Sequence, residues 1–306
     1  MDLSYHVRDK KARPTPITRH SVIPRRNDLA LPQRRGGPLI ANYFGLRHMP
    51  FTAELAVPHL FPSEGFGEVV ARLRYLMDVR GLGLLTGEAG VGKSTALRAL
   101  AAQCDPATHP LIYLADSDLQ PAGFYRDVLE QCGVQPARGR AETRLQFQRL
   151  FVDWRRHQGK TPLICIDEAH LLSAVMVQEI RFATNFGLQN PGSPFAMVLI
   201  GQPELRSLLR LKSLEAVAQR VTVRFHLAPL DEEHTARYLQ HQLRAAGCER
   251  QVFTDGAARL LHAQTRGLPR LLNTIATACL WDVAVRGGQV VEEDHVRRAL
   301  ADAAEI

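Results

Sequence analysis

Two regimes of hydrophobic patterning divide the chain. Before residue 230, short apolar runs rich in Leu, Ile and Val (81–86, 110–115, 162–166, 195–200 and 221–227) alternate with longer stretches of helical period. From Asp231 onward only the helical period remains, over 232–246, 254–265, 268–285 and 292–303. Runs with so little polar alternation read as strands buried on both faces. Their alternation with helices predicts an α/β domain built on a parallel sheet, with ligands held beyond the carboxyl ends of the strands. The later part predicts a small helical lid. Thr254 is suited to cap its second helix, and Gly247 and the pair Gly287 and Gly288 mark helix ends.

The polar residues at the ends of the runs carry the chemistry. Directly after 81–86, Gly87-Glu-Ala-Gly-Val-Gly-Lys93-Ser94 fits the phosphate-binding pattern G-x-x-x-x-G-K-[S/T] at every required position, and a helical stretch, 94–103, follows it. Glycines allow the backbone to curl so that its N–H groups face phosphate oxygens. Lys93 neutralises the terminal phosphates and Ser94 offers a hydroxyl to Mg²⁺. ATP and Mg²⁺ are therefore the expected ligands, with Gly87, Gly90, Gly92, Lys93, Ser94 and Thr95 as nucleotide contacts.

The run 162–166 ends in Asp167 and Glu168. A lone acidic pair at a strand end is usually a solvated turn. Downstream of a phosphate loop it reads as a metal-holding Asp167 and a water-activating Glu168. The next run ends at Gln202, placed either to sense the γ-phosphate or attacking water, or to serve as a polar turn residue before Pro203. Residues 207–220 look like one basic helix. Arg220, immediately before the last strand, is a candidate finger aimed at a neighbour's site, with a surface ion pair as the plainer alternative. Arg270 opens the third lid helix behind Gly267-Leu-Pro269 and is placed to reach phosphates across the cleft.

Charge changes the picture at the N-terminus. The net charge is +7, and residues 1–40 hold nine Lys or Arg against three Asp together with five prolines, while the remainder is nearly neutral. This segment is expected to be a solvated tail, or an arm lying along DNA or a protein partner. The expected division is thus a tail (1–40), an ATPase core (41–230) and a lid (231–306). Five scattered cysteines show no paired spacing, which argues against a disulfide framework or a zinc site. Without a leader-like or membrane-length apolar run, the expected location is the cytoplasm, with no membrane partner. Between 116 and 159 seven arginines interleave with acids, a pattern fitting either a solvated helical face or a phosphate-binding surface. Arg138, Arg140 and Arg144 are the DNA candidates. Tyr43, Phe44, Met49 and Phe51 are either core residues or a wall beside adenine.

The spacing of the phosphate loop, Asp167-Glu168, Gln202, Arg220 and Gly267-Leu-Pro-Arg270 resembles the AAA+ ATPases, with Arg270 at the family's sensor II. Tyr43-Phe-Gly-Leu-Arg47, Met49-Pro-Phe51 and Ile200-Gly-Gln-Pro-Glu-Leu205 are similar to the group containing the secretion ATPase ExeA and the transposition regulators TnsC and TniB. The resemblance implies a sheet ordered 5-1-4-3-2 and ATP bound between subunits of a ring or helical filament. It also implies a regulator of DNA transposition that assembles on duplex DNA and recruits or activates a transposase, in some cases with a target-site selector. Hydrolysis would dismantle that assembly. A secretion-associated ATPase, expected to carry a membrane segment and a further domain, and a remodelling ATPase that does not bind DNA are the alternatives.

Overall fold

The five apolar runs become five strands of one parallel sheet in a computed structural model, which describes residues 37–304 apart from 53–54, 117 and 187–191. The basic tail up to residue 36 lies outside the described residues. In chain order the elements are α1 (Gly37–Phe44), α2 (Glu64–Val79), β1 (Leu82–Thr86), α3 (Lys93–Gln103), β2 (Leu111–Leu114), α4 (Pro121–Gln131), α5 (Arg140–His157) and β3 (Leu163–Ile166). There follow α6 (Ala174–Ala183), β4 (Ala196–Gly201), α7 (Glu204–Leu209), α8 (Glu215–Ala218) and β5 (Val221–His226). The lid helices are α9 (Glu232–Ala245), α10 (Asp255–Thr265), α11 (Pro269–Arg286) and α12 (Glu293–Ala304).

The strand order is β2-β3-β4-β1-β5, the order expected, with every neighbouring pair parallel. Successive strand residues face opposite sides, so each strand feeds two cores. Leu82, Leu84, Ile112, Ile164, Ile166, Met197 and Leu199 pack beneath α4, α5 and α6, around the aromatic cluster of Phe124, Phe147, Phe151 and Phe195. Leu85, Cys165, Val198, Ile200 and Val223 pack on the other side against α2 and α3. Burial on both faces is why the central strands β1, β3 and β4 lack polar alternation, whereas the edge strands β2 and β5 expose Tyr113, Thr222 and Arg224. The register also levels the strand ends: Thr86 lies opposite Gly201 on one side and His226 on the other, so the loops after β1, β4 and β5 leave the sheet together.

Two elements depart from the expected layout. Residues 207–220 do not form one helix, because Leu211 takes an extended backbone (ψ 133°) between α7 and a short 3-10 turn leading into α8. The break brings Leu214 and Val217 into the core already occupied by Leu205 and Leu209. The second departure is α1, which begins inside the segment read as tail. Ile40, Phe44, Leu46 and Phe51 pack with Tyr238, Leu239, Phe253, Leu272 and Leu280 in the lid's own core. Phe51 meets Phe253 edge to face at 6.0 Å between ring centres. The aromatics weighed for adenine thus include two, Phe44 and Phe51, that are buried in the lid.

Candidate nucleotide site

Beyond Thr86 the chain turns back over the strand ends, where the Gly87 N–H donates to the Gly201 carbonyl at 3.2 Å. It then curls through Gly90 (φ 81°) and Gly92 (φ 114°) into the first turn of α3. Those left-handed conformations aim the helix N-terminus and its unpaired N–H groups at one point above the sheet, the arrangement that receives a phosphate. Lys93 arches back over the loop. Its Nζ donates to the carbonyls of Gly87 (2.7 Å) and Glu88 (3.0 Å). Burial pushes the Lys93 ammonium below the usual lysine range, opposed by the carboxylates of Asp167 and Glu168 and assisted by the nearby Arg270. A polyanion in the loop would supply the counter-charge that burial withholds.

Asp167 follows β3 and is 6% exposed. Its Oδ2 accepts from the Ser94 hydroxyl (3.3 Å) and from the Tyr113 hydroxyl on β2, and its Oδ1 accepts from the Glu168 N–H (2.8 Å). Burial and the adjoining Asp167 carboxylate both push the Tyr113 phenol upward, so it stays a donor. A hydroxyl beside a carboxylate is a hard-oxygen donor set that fits Mg²⁺. Ser94 and Asp167 are the residues that would hold it, and a bound Mg²⁺ would neutralise charge on the terminal phosphates.

Glu168 occupies the left-handed region (φ 50°), a conformation costing a non-glycine residue about 1–2 kcal/mol. The next turn folds His170 back against it, with Nδ1 3.4 Å from the Glu168 carboxylate. On its other side the ring meets Gln202, whose side-chain Nε2 is 3.1 Å from His170 Nε2. Glu168 and Gln202 are therefore joined through a histidine absent from the expected site, as is Tyr113. The signal for His170 was its position two residues after Glu168, within one turn. Nothing in the spacing alone marks Tyr113, which reaches Asp167 through the register of β2 and β3.

The lid meets the loop at Arg270. Its backbone N–H donates to the Gly90 carbonyl at 3.2 Å. A methyl group on Gly90 would stand 2.6 Å from Arg270 Cβ, so this close approach, as well as φ, demands glycine. Behind it, Gly267 lies so near Leu230 that a Cβ would fall 1.8 Å from the Leu230 carbonyl oxygen, and the Leu230 N–H donates to the Gly267 carbonyl at 3.0 Å. Core and lid are joined here backbone to backbone.

The remaining candidates lie elsewhere. Arg220 sits at the amino end of β5, the pole opposite the phosphate loop, with Nη1 donating to the Arg181 carbonyl at 3.0 Å. It is remote from its own loop. Arg140 and Arg144 converge on Glu179 of α6 (3.3 and 3.6 Å), whose buried carboxylate also accepts from the Tyr125 hydroxyl at 2.7 Å. Arg138 is exposed, and Thr95 lies in the first turn of α3. Among the described residues no helix is long and apolar enough to cross a membrane.

A parallel sheet of this order, a glycine-rich loop after β1, acids after β3, a polar residue after β4 and a helical lid carrying an arginine together make the AAA+ fold. Residues 76–209 match the AAA domain family. The chain is 33% identical over 269 residues to general secretion pathway protein A of Aeromonas hydrophila, covering 85% of this chain and 48% of that protein. It thus spans about half of that relative's length. Among solved structures it resembles Cdc6p from Pyrobaculum aerophilum (TM-score 0.63, 15% identity, 82% of this chain and 70% of that one). It also resembles a chain of Drosophila ORC bound to DNA (TM-score 0.63, 15% identity, 91% of this chain and 69% of that one). At that identity the likeness is one of fold.

Proposed function

We propose that this protein is an ATP-hydrolysing assembly switch that oligomerises on duplex DNA and regulates transposition by recruiting or activating a transposase. One observation carries the ATPase part: Lys93, the Ser94–Asp167 pair and the lid's Arg270 converge on one loop. In the reaction, a water oxygen attacks the γ-phosphorus, its proton passes to the Glu168 carboxylate, and the bond to the bridging β,γ oxygen breaks to leave ADP and phosphate. Lys93 and Arg270 hold the phosphates, and Gln202 orients the water or the γ-phosphate. Nucleotide bound between loop and lid couples their closure to ATP.

Arg220, at the pole opposite its own loop, supports assembly: it would serve a neighbouring copy as an arginine finger does. Duplex DNA as the platform is supported by the arginine-bearing 116–159 segment and by the fold shared with a DNA-bound ORC chain. The 33% identity to a general secretion pathway protein favours a second reading, a secretion-associated ATPase with the same switch. A transposase or secretion genes beside this one would favour the respective reading. Sedimentation with a slowly hydrolysed ATP analogue at low salt separates them directly. Large complexes are expected on any duplex, and Glu168→Gln should prolong their life in ATP. Complexes that form with nucleotide but ignore DNA would move the assignment to the second reading.

A further inference from the structure

His170 touches both Glu168 and Gln202, and it does so from a nearly closed position, 10% exposed. Water has little access to the ring itself, although the Glu168 side chain is 48% exposed, so the pattern of protons on the imidazole is set by the protein groups around it. A neutral imidazole has one N–H and one lone pair, whereas three contacts compete for them. Nδ1 lies 3.4 Å from the Glu168 carboxylate, which can only accept, and also 3.4 Å from the Gln202 backbone N–H, which can only donate. Nε2 lies 3.1 Å from the Gln202 side-chain amide, which donates through one end and accepts through the other.

Only two arrangements use the ring fully. In the first, the Gln202 NH₂ donates to Nε2, the ring proton is on Nδ1, and that N–H holds the Glu168 carboxylate. In the second, the amide is turned so that its oxygen accepts from Nε2–H. Nδ1 then accepts the Gln202 backbone N–H with its lone pair and has no proton to give Glu168. Each arrangement makes two hydrogen bonds, so the choice between them rests on which end of the amide is claimed from outside. A terminal phosphate accepts only. It would draw the Gln202 NH₂ to itself, turn the amide oxygen to the ring and so loosen Glu168.

We infer that His170 is a positioning residue that ties Glu168 to Gln202, holding the carboxylate while the site lacks a terminal phosphate and releasing it when Gln202 turns to one. The inference rests on the ATPase reading above. It gives a use to the left-handed backbone of Glu168, whose carboxylate lies 3.4 Å from the histidine.

The test uses the full chain with Mg²⁺, ATP turnover, binding of a slowly hydrolysed analogue, and imidazole ¹⁵N spectra assigned with His170→Gln. His170→Ala should lower kcat about tenfold or more while KM and analogue affinity stay within about twofold. His170→Gln, which keeps a donor and an acceptor, should recover part of the loss. The double variant His170→Ala with Gln202→Ala should be no slower than Gln202→Ala alone, since both act through one path. On saturation with the analogue, the His170 Nδ1 resonance should change from protonated to unprotonated character, with the reverse at Nε2. Unchanged kcat in His170→Ala, losses that multiply in the double variant, or ring nitrogens indifferent to the analogue would each overturn the inference. A wild-type protein whose ring responds to the analogue but which never hydrolyses ATP would instead refute the ATPase reading and leave the coupling standing.

Discussion

Lys93 and the pair Arg140 and Arg144 illustrate two ways of placing a cation. Lys93 is buried, and its hydrogen bonds run to carbonyls of its own loop, which carry no net charge to balance it. Arg140 and Arg144 lie nearer the surface, yet they share the carboxylate of Glu179, which is only 9% exposed. The first cation has carboxylates nearby but none bonded to it; the second two already share one. Counting arginines along 116–159 measures charge without saying how much of it is already paired. The phosphate-loop spacing, by contrast, specifies a lysine whose partner must come from outside.

Replacing either cation set tests that contrast, and the largest effect belongs to Lys93. Lys93→Ala should weaken ATP binding about ten- to a hundredfold, the loss of one to two charge-assisted contacts. Titration calorimetry that finds equal affinity would show that the lysine, like the two arginines, has no charge left for a ligand. Glu179→Ala comes next. It strands the buried Tyr125 hydroxyl and frees both arginines, so urea unfolding should report a loss of about 1–3 kcal/mol. DNA affinity should rise in the same variant if the segment faces phosphate. The smallest effect is expected at exposed Arg138. Arg138→Ala should reduce the slope of log affinity against log salt by about 0.9, whereas Arg140→Ala should leave the slope as it is. Equal slope changes in both would erase the distinction between paired and available arginines.

The same contrast explains what the sequence disclosed. Contiguous signals were legible. The central strands β1, β3 and β4 announce themselves because both faces are buried, and the loop from Gly87 to Ser94 because its chemistry is packed into eight consecutive residues. Thr254 was legible as a cap and does accept the Ala257 N–H at 3.2 Å. What escaped were relations between distant segments. Tyr113 reaches Asp167 only because β2 and β3 pair in one particular register, and Glu179 meets Arg140 only across a helix-to-helix packing. The break at Leu211 escaped for a related reason: helical period over 207–220 is present, but satisfying the core requires a turn that local propensity does not encode. His170 was nearer to legibility, yet its role depends on Gln202, brought to it by β4.

The lid's dependence on α1 has a consequence for how the chain is made. Ile40, Phe44, Leu46 and Phe51 are made early relative to their partners: Phe253, Leu272 and Leu280 appear about two hundred residues later. At roughly 5–20 residues per second that is a wait of about 10–40 s during which four large apolar side chains have no native partner. The ATPase core can close in that interval; the lid cannot. The lid core is therefore completed only when α1 meets helices made about two hundred residues later.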